Sequence, residues 1–566
     1  MSLINYLGKK DLGIARGSLL TDVLLLVVVL GGLALLANAA SGMWGAYEIG
    51  DPILIDLNPR CLPYYAARTV LRMFIGLFFS FVCAFTFGSM AAKNPVAEKI
   101  IIPLIDVLQS IPVIGFLEVS FVWFVYGFKG SFLGPEFASI FAVFVSQVWN
   151  LILSYYQSLK MMPKDLDEVA KIYRLSSWQR FFRLEVPFAA PGLIWNAMLS
   201  LSAGWFFVVA GEAITIANHN VSLPGIGSYI AEATNQGNYH AIYWAILCIF
   251  IVIMLYDQLL FRPLSFWIDA KNNPEAYIKP NWVWHVVSQS NLVHWIGRQL
   301  KSFSLCFPKR RAKKVRYFSS PGYLFSLLSL CLLTGCIGFL AYHSYGVISM
   351  PYGEVKVAFI LGAYTATRVF VLVSLCCIIW FPVGIFLGLN PKIADILQPI
   401  IQFMAAFPPN MLYPLIGSYI IVHGYNPNIW LSPLIIMGTQ WYILFNIIAG
   451  VRSLPPELLL MAKSLNLSKW RYYVKVVVPG VYPSLLTGVI TAVGGAWNTS
   501  IIAEAVEWNG QAIYAKGLGA YIMKASRQGN SDQVYLGVIV MCVYVFVINQ
   551  IVWIPLYQQV EKKYRG

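Results

Sequence analysis

Polar positions along this chain are sparse and clustered. Between the clusters run apolar stretches long enough to cross about 30 Å of hydrocarbon as helix. About twelve such runs can be marked. The first six are Leu19 to Ala40, Thr69 to Met90, Pro103 to Tyr126, Pro135 to Leu159, Gly192 to Ile216 and a sixth ending near Arg262. The second six lie near Tyr323 to Ala341, Thr365 to Leu389, Pro399 to Val422, Ile429 to Gly450, Ser484 to Ile502 and Val534 to Pro555. Pro112 falls inside the third run, and its ring and missing N–H predict a kink or break there.

Two polar clusters carry a helical period instead. Leu166, Val169, Ala170 and Tyr173 share one helical face in the first, and Leu458, Met461, Ala462 and Leu465 in the second. Subtraction gives 292 for Pro163/Pro455, Ala170/Ala462, Lys171/Lys463, Trp178/Trp470, Pro187/Pro479 and Pro191/Pro483. The same offset relates Trp205 to Trp497, Glu212 to Glu504 and Gly225 to Gly517. Nearer the start the offset is 296, as in Thr69/Thr365, Arg72/Arg368 and Pro112/Pro408. The chain is therefore a duplication.

Each cluster reads as helix, turn, helix, proline. Proline opens it, acids occupy the first turn (Asp165, Asp167 and Glu168; Glu457), and Lys171 or Lys463 follows, in the order the helix dipole favours. With six spans in each copy, both copies enter the bilayer in the same direction as parallel repeats. The expected architecture is an all-α membrane protein of about twelve transmembrane helices in two six-helix repeats. Residues 1–262 form the first repeat, 263–320 a basic linker and 321–566 the second repeat.

Composition agrees: the chain is 58% hydrophobic and 11% charged, with mean hydropathy +0.67, outside the range of soluble domains. Its net charge of +15 could suggest nucleic acid, but the basic residues gather in loops between spans, as the positive-inside rule requires. That rule places both amphipathic clusters, the linker with Lys309, Arg310 and Arg311, and both termini in the cytoplasm, although Lys516, Lys524 and Arg527 run against it locally. Seven of the nine cysteines lie in or beside apolar spans without a CxxC pair, and the six histidines are scattered, so no metal site is expected. No G-x-x-x-x-G-K-[ST] is present, and no paired acids or Ser/His arrangement supports an enzyme.

Charged residues within spans need an explanation, because burial in hydrocarbon costs several kcal/mol. Arg72 and Arg368 either pair with Glu212 and Glu504 near the outer surface or give the external mouth a positive field for an anion. Glu118 and Asp106 in the third run have no acidic counterparts and either face a wet cavity or mark substrate preference. Trp205 and Trp497 are the large residues that both halves keep within the fifth span.

The amphipathic cluster resembles the EAA loop of membrane subunits of bacterial ABC importers. Glu168-Val-Ala170 opens it and Leu184-Glu-Val186-Pro187 closes it; the second copy keeps Ala462 and closes with Val476-Val-Val478-Pro479. The pattern's glycine is Arg174 here and Asn466 in the second copy, where Leu460 also replaces the leading acid. Thr-x-x-Arg, Ile-Pro and the Glu followed by Gly-Ile-Gly or Gly-Leu-Gly resemble the nitrate, sulfonate, taurine and bicarbonate branch, in a fused double copy.

That resemblance implies a type I importer permease of the bacterial cytoplasmic membrane with no cofactor of its own. Two ABC ATPase subunits would carry ATP and Mg, an external binding protein would deliver a small anionic solute, and the coupling residues would be Asp165, Glu168, Ala170, Arg174, Glu457, Ala462, Lys463 and Asn466. Arg72, Arg368, Glu118, Trp205, Trp497, Glu212 and Glu504 are the candidates for the gate or path. A secondary transporter with parallel repeats is the alternative, and would need ion-coupling acids at mid-membrane and no ATPase.

Overall fold

In hydrocarbon every backbone donor and acceptor must be satisfied within the chain, so apolar runs of this length fold as helices. The computed structural model describes residues 19–46, 54–110, 123–125, 127–173, 175–216, 219–264, 350–454 and 468–553, with a few isolated positions besides. The linker, the seventh apolar run and both ends lie outside the described residues.

The first repeat begins with α1 (Leu19–Ser41) and α2 (Leu62–Cys83), which continues through a π turn into Ser89–Lys93. After α3 (Pro95–Ser110) come α4 (Leu133–Lys160), the short α5 (Lys164–Ile172), a single turn at Ser177–Arg180 and the long α6 (Val186–Glu212). A hairpin of β1 (Ala213–Ile216) and β2 (His219–Ser222) then leads through α7 (Ile226–Asn235) to α8 (Tyr239–Tyr256).

In the second repeat, α9 (Tyr352–Leu389), α10 (Pro391–Ala406) and α11 (Tyr413–His423) precede α12 (Gln440–Arg452). A turn at Lys469–Tyr472 starts α13 (Val478–Ala503), followed by β3 (Ala505–Trp508), β4 (Gln511–Tyr514), α14 (Leu518–Arg527) and α15 (Ser531–Ile548). Matched π turns, Phe181–Glu185 and Tyr473–Val477, sit just before Pro187 and Pro479. A proline there withdraws one i→i−4 bond and crowds the preceding carbonyl, and the widened turn accommodates both effects.

Among the described residues, eight helices are long and apolar enough to cross a membrane. The sequence reading differs from the structure in three places. The ninth run is two helices, because Pro408 and Pro409 break the chain between α10 and α11. The tenth run is interrupted at Met437–Thr439 between Ser432–Ile436 and α12. The segments after the fifth spans, expected as external loops, each fold into a hairpin and a helix.

Among the described residues the two large apolar cores, one for each repeat, each take residues from the other copy: Phe206 and Phe207 join the second core, Ala406, Met411 and Trp508 the first, and a small separate cluster holds Leu387, Ala394 and Leu444. Polar ties cross the same boundary. Asn410 Nδ2 donates to the Phe206 carbonyl at 3.1 Å, and the Val113 N–H to Asn498 Oδ1 at 2.7 Å. At the hairpin end, the Trp508 ring lies 4.4 Å from Tyr239 and the Asn509 N–H donates to the Thr234 carbonyl at 2.9 Å.

Candidate functional site

At the hairpin end of the first repeat the structure gathers Arg68, Arg72, Glu136 and Glu212, each no more than 3% exposed. Arg72 Nε and Nη2 donate to the two oxygens of Glu136 at 2.6 and 2.7 Å, Nη1 donates to Glu212 at 2.6 Å, and Nη2 also reaches the Pro224 carbonyl at 3.0 Å. Arg68 donates to Glu136 as well. The other Glu212 oxygen accepts the Gly227 N–H at 2.7 Å, and Thr69 Oγ1 accepts the Ile226 N–H at 3.1 Å. The start of α7 is thereby tied to α2 and α6. Gly225 is required by close approach, because a Cβ there would fall on the Glu212 carboxylate.

The second repeat builds the same joint with fewer charges. Arg368 donates to Glu504 at 2.8 Å, Thr365 donates to Glu504 at 2.9 Å and accepts the Leu518 N–H at 2.9 Å, and Gly519 donates to Glu504 at 2.8 Å. Position 428, the counterpart of Glu136, is Asn428, which accepts from Arg368 at 3.0 Å; position 364, the counterpart of Arg68, is Tyr364. Each joint is charge-balanced, with two arginines to two carboxylates in one copy and one to one in the other. Burying ions without partners costs several kcal/mol apiece, and the second joint accordingly lacks both a base and an acid relative to the first. Arg68 and Glu136 were missed at the sequence level because comparing the halves by identity passes over unlike pairs. The visible signal was a glutamate following Pro135 at the head of an apolar run.

At the opposite end, α5 and the Ser177–Arg180 turn form a projecting foot. Ser176 and Gln179 make a reciprocal capping box, with the Ser176 N–H on Gln179 Oε1 at 3.1 Å and the Gln179 N–H on Ser176 Oγ at 3.3 Å. Ala170 and Ala462 are each 4% exposed, so the two alanines are buried rather than on the solvent side of the feet. The solvent side of the feet carries Asp165, Glu168, Ile172, Tyr173 and Trp178 in one copy and Met461, Leu465 and Trp470 in the other. Arg174, Glu457, Lys463 and Asn466 lie outside the described residues, as does Glu118 in the third run.

A cavity of about 390 Å³ opens between the repeats, lined from the first by residues of α4 and α6 and from the second by α13, α15 and the interrupted segment at Gly438 and Thr439. Trp497 is at its wall, while Trp205 packs against Tyr256 with ring centroids 6.0 Å apart. The arginine joints lie apart from it: none of their charged residues lines the cavity. The structure thus brings Arg72 to Glu212 and Arg368 to Glu504, but separates both pairs from Trp497.

Residues 84–263 and 381–565 both match the family model described as binding-protein-dependent transport system inner membrane component. Curated relatives include a nitrate import permease protein of Leptolyngbya laminosa, 22% identical over 34% of this chain and 64% of its own length. A bicarbonate transport system permease protein of Synechococcus elongatus is 33% identical over 31% of this chain and 59% of its own. A taurine transport system permease protein of Escherichia coli is 28% identical over 33% and 64% respectively. The chain thus spans less than two thirds of the length of these relatives. The two tandem matches together take up more than half of the chain, and the chain belongs to the inner membrane components of binding-protein-dependent transport systems.

Proposed function

We propose that this multi-pass protein is the permease of an ATP-binding-cassette importer for a small solute with an anionic group. The observation that carries this reading is the pair of feet at one end of the molecule: α5 and the Ser177–Arg180 turn continue into α6, the Lys469–Tyr472 turn continues into α13, and both feet present large apolar residues to solvent. Tyr173 is 75% exposed, Trp178 69% and Trp470 76%, a cost in water that a docked partner would remove. Lys160, Lys171, Arg180 and Arg183 around the first foot favour its placement in the cytoplasm, with both termini and the 263–320 linker on the same side of the membrane.

In this reading each foot seats on a cytoplasmic ATPase that binds ATP and Mg, and a binding protein delivers solute to the hairpin end. Approach of the ATPases moves the feet, and the π turns joined to α6 and α13 pass that motion to the cavity between the repeats. Asp165 and Glu168 on the first foot, and Glu457, Lys463 and Asn466 on the second, would set the polar contacts. Ala170 and Ala462 would instead let each foot lie close to its own spans. The buried Arg72–Glu212 and Arg368–Glu504 pairs would fix the outer joints, with their charges neutralised locally.

Ile172→Asp combined with Met461→Asp should lower recovery of the coexpressed ATPase with the tagged permease by about tenfold, from the loss of buried apolar contact, while leaving the permease's elution profile unchanged. Undiminished recovery would refute docking through these faces. A secondary transporter would be recovered alone and would respond to an ion gradient.

A further inference from the structure

The duplication allows the two junctions between repeats to be compared position by position. At each, the fifth and sixth spans of one copy meet the third span of the other. At one junction Ile253, Tyr256, Asp257 and Phe261 close against Gln402 and Phe403, leaving a void of only about 30 Å³. At the other, the residues 292 positions later, Val545, Ile548, Asn549 and Trp553, line the cavity of about 390 Å³. One junction is filled and its counterpart is an open chamber.

The chamber's walls also differ across the duplication. Phe206 and Phe207 of the first repeat occupy the positions of Asn498 and Thr499 in the second, and all four line the chamber. Related positions therefore place two aromatic rings from one copy opposite an amide and a threonine from the other, the Thr499 hydroxyl itself donating to the Ile435 carbonyl at 2.7 Å. On the polar side, Thr439 is 5% exposed and its hydroxyl has no protein partner; the indole N–H of Trp497, 1% exposed, has none either. Buried donors of this kind are satisfied by something that occupies the space beside them. No Asp, Glu, Lys, Arg or His is among the described residues that line the chamber.

From this asymmetry we infer that the chamber binds a small organic solute with an apolar flank for Phe206 and Phe207 and an acceptor-rich head for Thr439, Trp497 and Asn498. An inorganic oxyanion offers the second feature without the first. A symmetric pair of identical subunits could not build such a site, since its two walls would be alike. The inference rests on the import reading and narrows its cargo.

The test uses the full chain in lipid nanodiscs, with tryptophan fluorescence from Trp149, Trp497 and Trp553 at the wall as the signal. The probes are benzenesulfonate, benzamide and nitrate. A saturable change with either aromatic probe and none with nitrate over the same range supports the inference. Phe206→Asn, which copies the polar wall onto the apolar one, should weaken that binding about tenfold, Thr439→Val about fivefold, and Phe206→Leu no more than about threefold. Nitrate binding as tight as the aromatic probes, no response to either aromatic probe, or wild-type affinity in Phe206→Asn would each overturn it. Should Phe206→Asn fail to fold, Asn498→Leu carries the same tenfold expectation from the opposite wall. ATPase recovery should be unchanged in every variant, so failure here is separable from failure of the import reading.

Discussion

Glu185 is fully buried between two bases, accepting from Lys93 Nζ and Arg180 Nε at 2.8 Å each, and its counterpart Val477 is fully buried among apolar neighbours. The partners changed with it: Leu389 stands for Lys93 and Tyr472 for Arg180, and both pack on the second core. The joint at Arg72 follows the same rule. Arg72→Met would leave two buried carboxylates short of a counter-charge, at a cost of about 3–5 kcal/mol. Arg368→Met should cost less, since Arg368 is 13% exposed and Glu504 keeps Thr365 and backbone donors. Thermal denaturation in detergent should show the larger drop for Arg72→Met, and equal drops would contradict the assignment. Arg68→Tyr with Glu136→Asn copies the second joint onto the first and should recover most of the stability that either single change loses, a coupling readable in a double-mutant cycle. Identity between halves made Arg72, Arg368, Glu212 and Glu504 legible in the sequence, whereas charge exchange hid Arg68 and Glu136. Identity located the shared joint; the asymmetric half of it required coordinates.

The elements show a similar division. Apolar length and the repeat located several described spans to within a turn or two, among them α1, α4, α6 and α13, whereas α9 begins at Tyr352, well before the run read from Thr365; the amphipathic period revealed the feet. The β3–β4 hairpin was also readable: Asn509-Gly510 has φ of 48° and 73°, the left-handed pair a type I′ turn demands, and an Asn-Gly flanked by alternating residues is its signature. Its position between two spans, where a loop is expected, masks that signature. The interruption at Met437–Thr439 had weaker cues, since the matched stretch of α4 is continuous helix. At the foot end, Lys160 donates to Glu98 at 2.7 Å and, with Tyr156, holds that carboxyl below its usual range, tying α3 to α4. A depressed folded-state pKa stabilises above the unfolded value of about 4.3 and is lost as pH falls through the folded one. Wild type should therefore lose more thermal stability than Glu98→Gln on acidification below about pH 4.3, and identical pH profiles would exclude the tie.

At the scale of the molecule, the halves hold each other at three levels: α6 against α10, the Asn410 and Asn498 ties, and the hairpins. Separately expressed residues 1–262 and 321–566 should therefore copurify when only one carries a tag, and loss of the untagged half on mild detergent washing would show that the linker supplies the association. The family matches in both halves fit this reciprocal assembly, since each repeat covers apolar surface that the other would leave open.

The cross-seated Trp508 and Asn509 bear on how the outer end opens. The β3–β4 tip rests on Tyr239 and Thr234 of the opposite copy, so lifting either hairpin end alone would break these contacts. On the import reading proposed above, admission of cargo at this end would then be one shared movement of both leaves of the door.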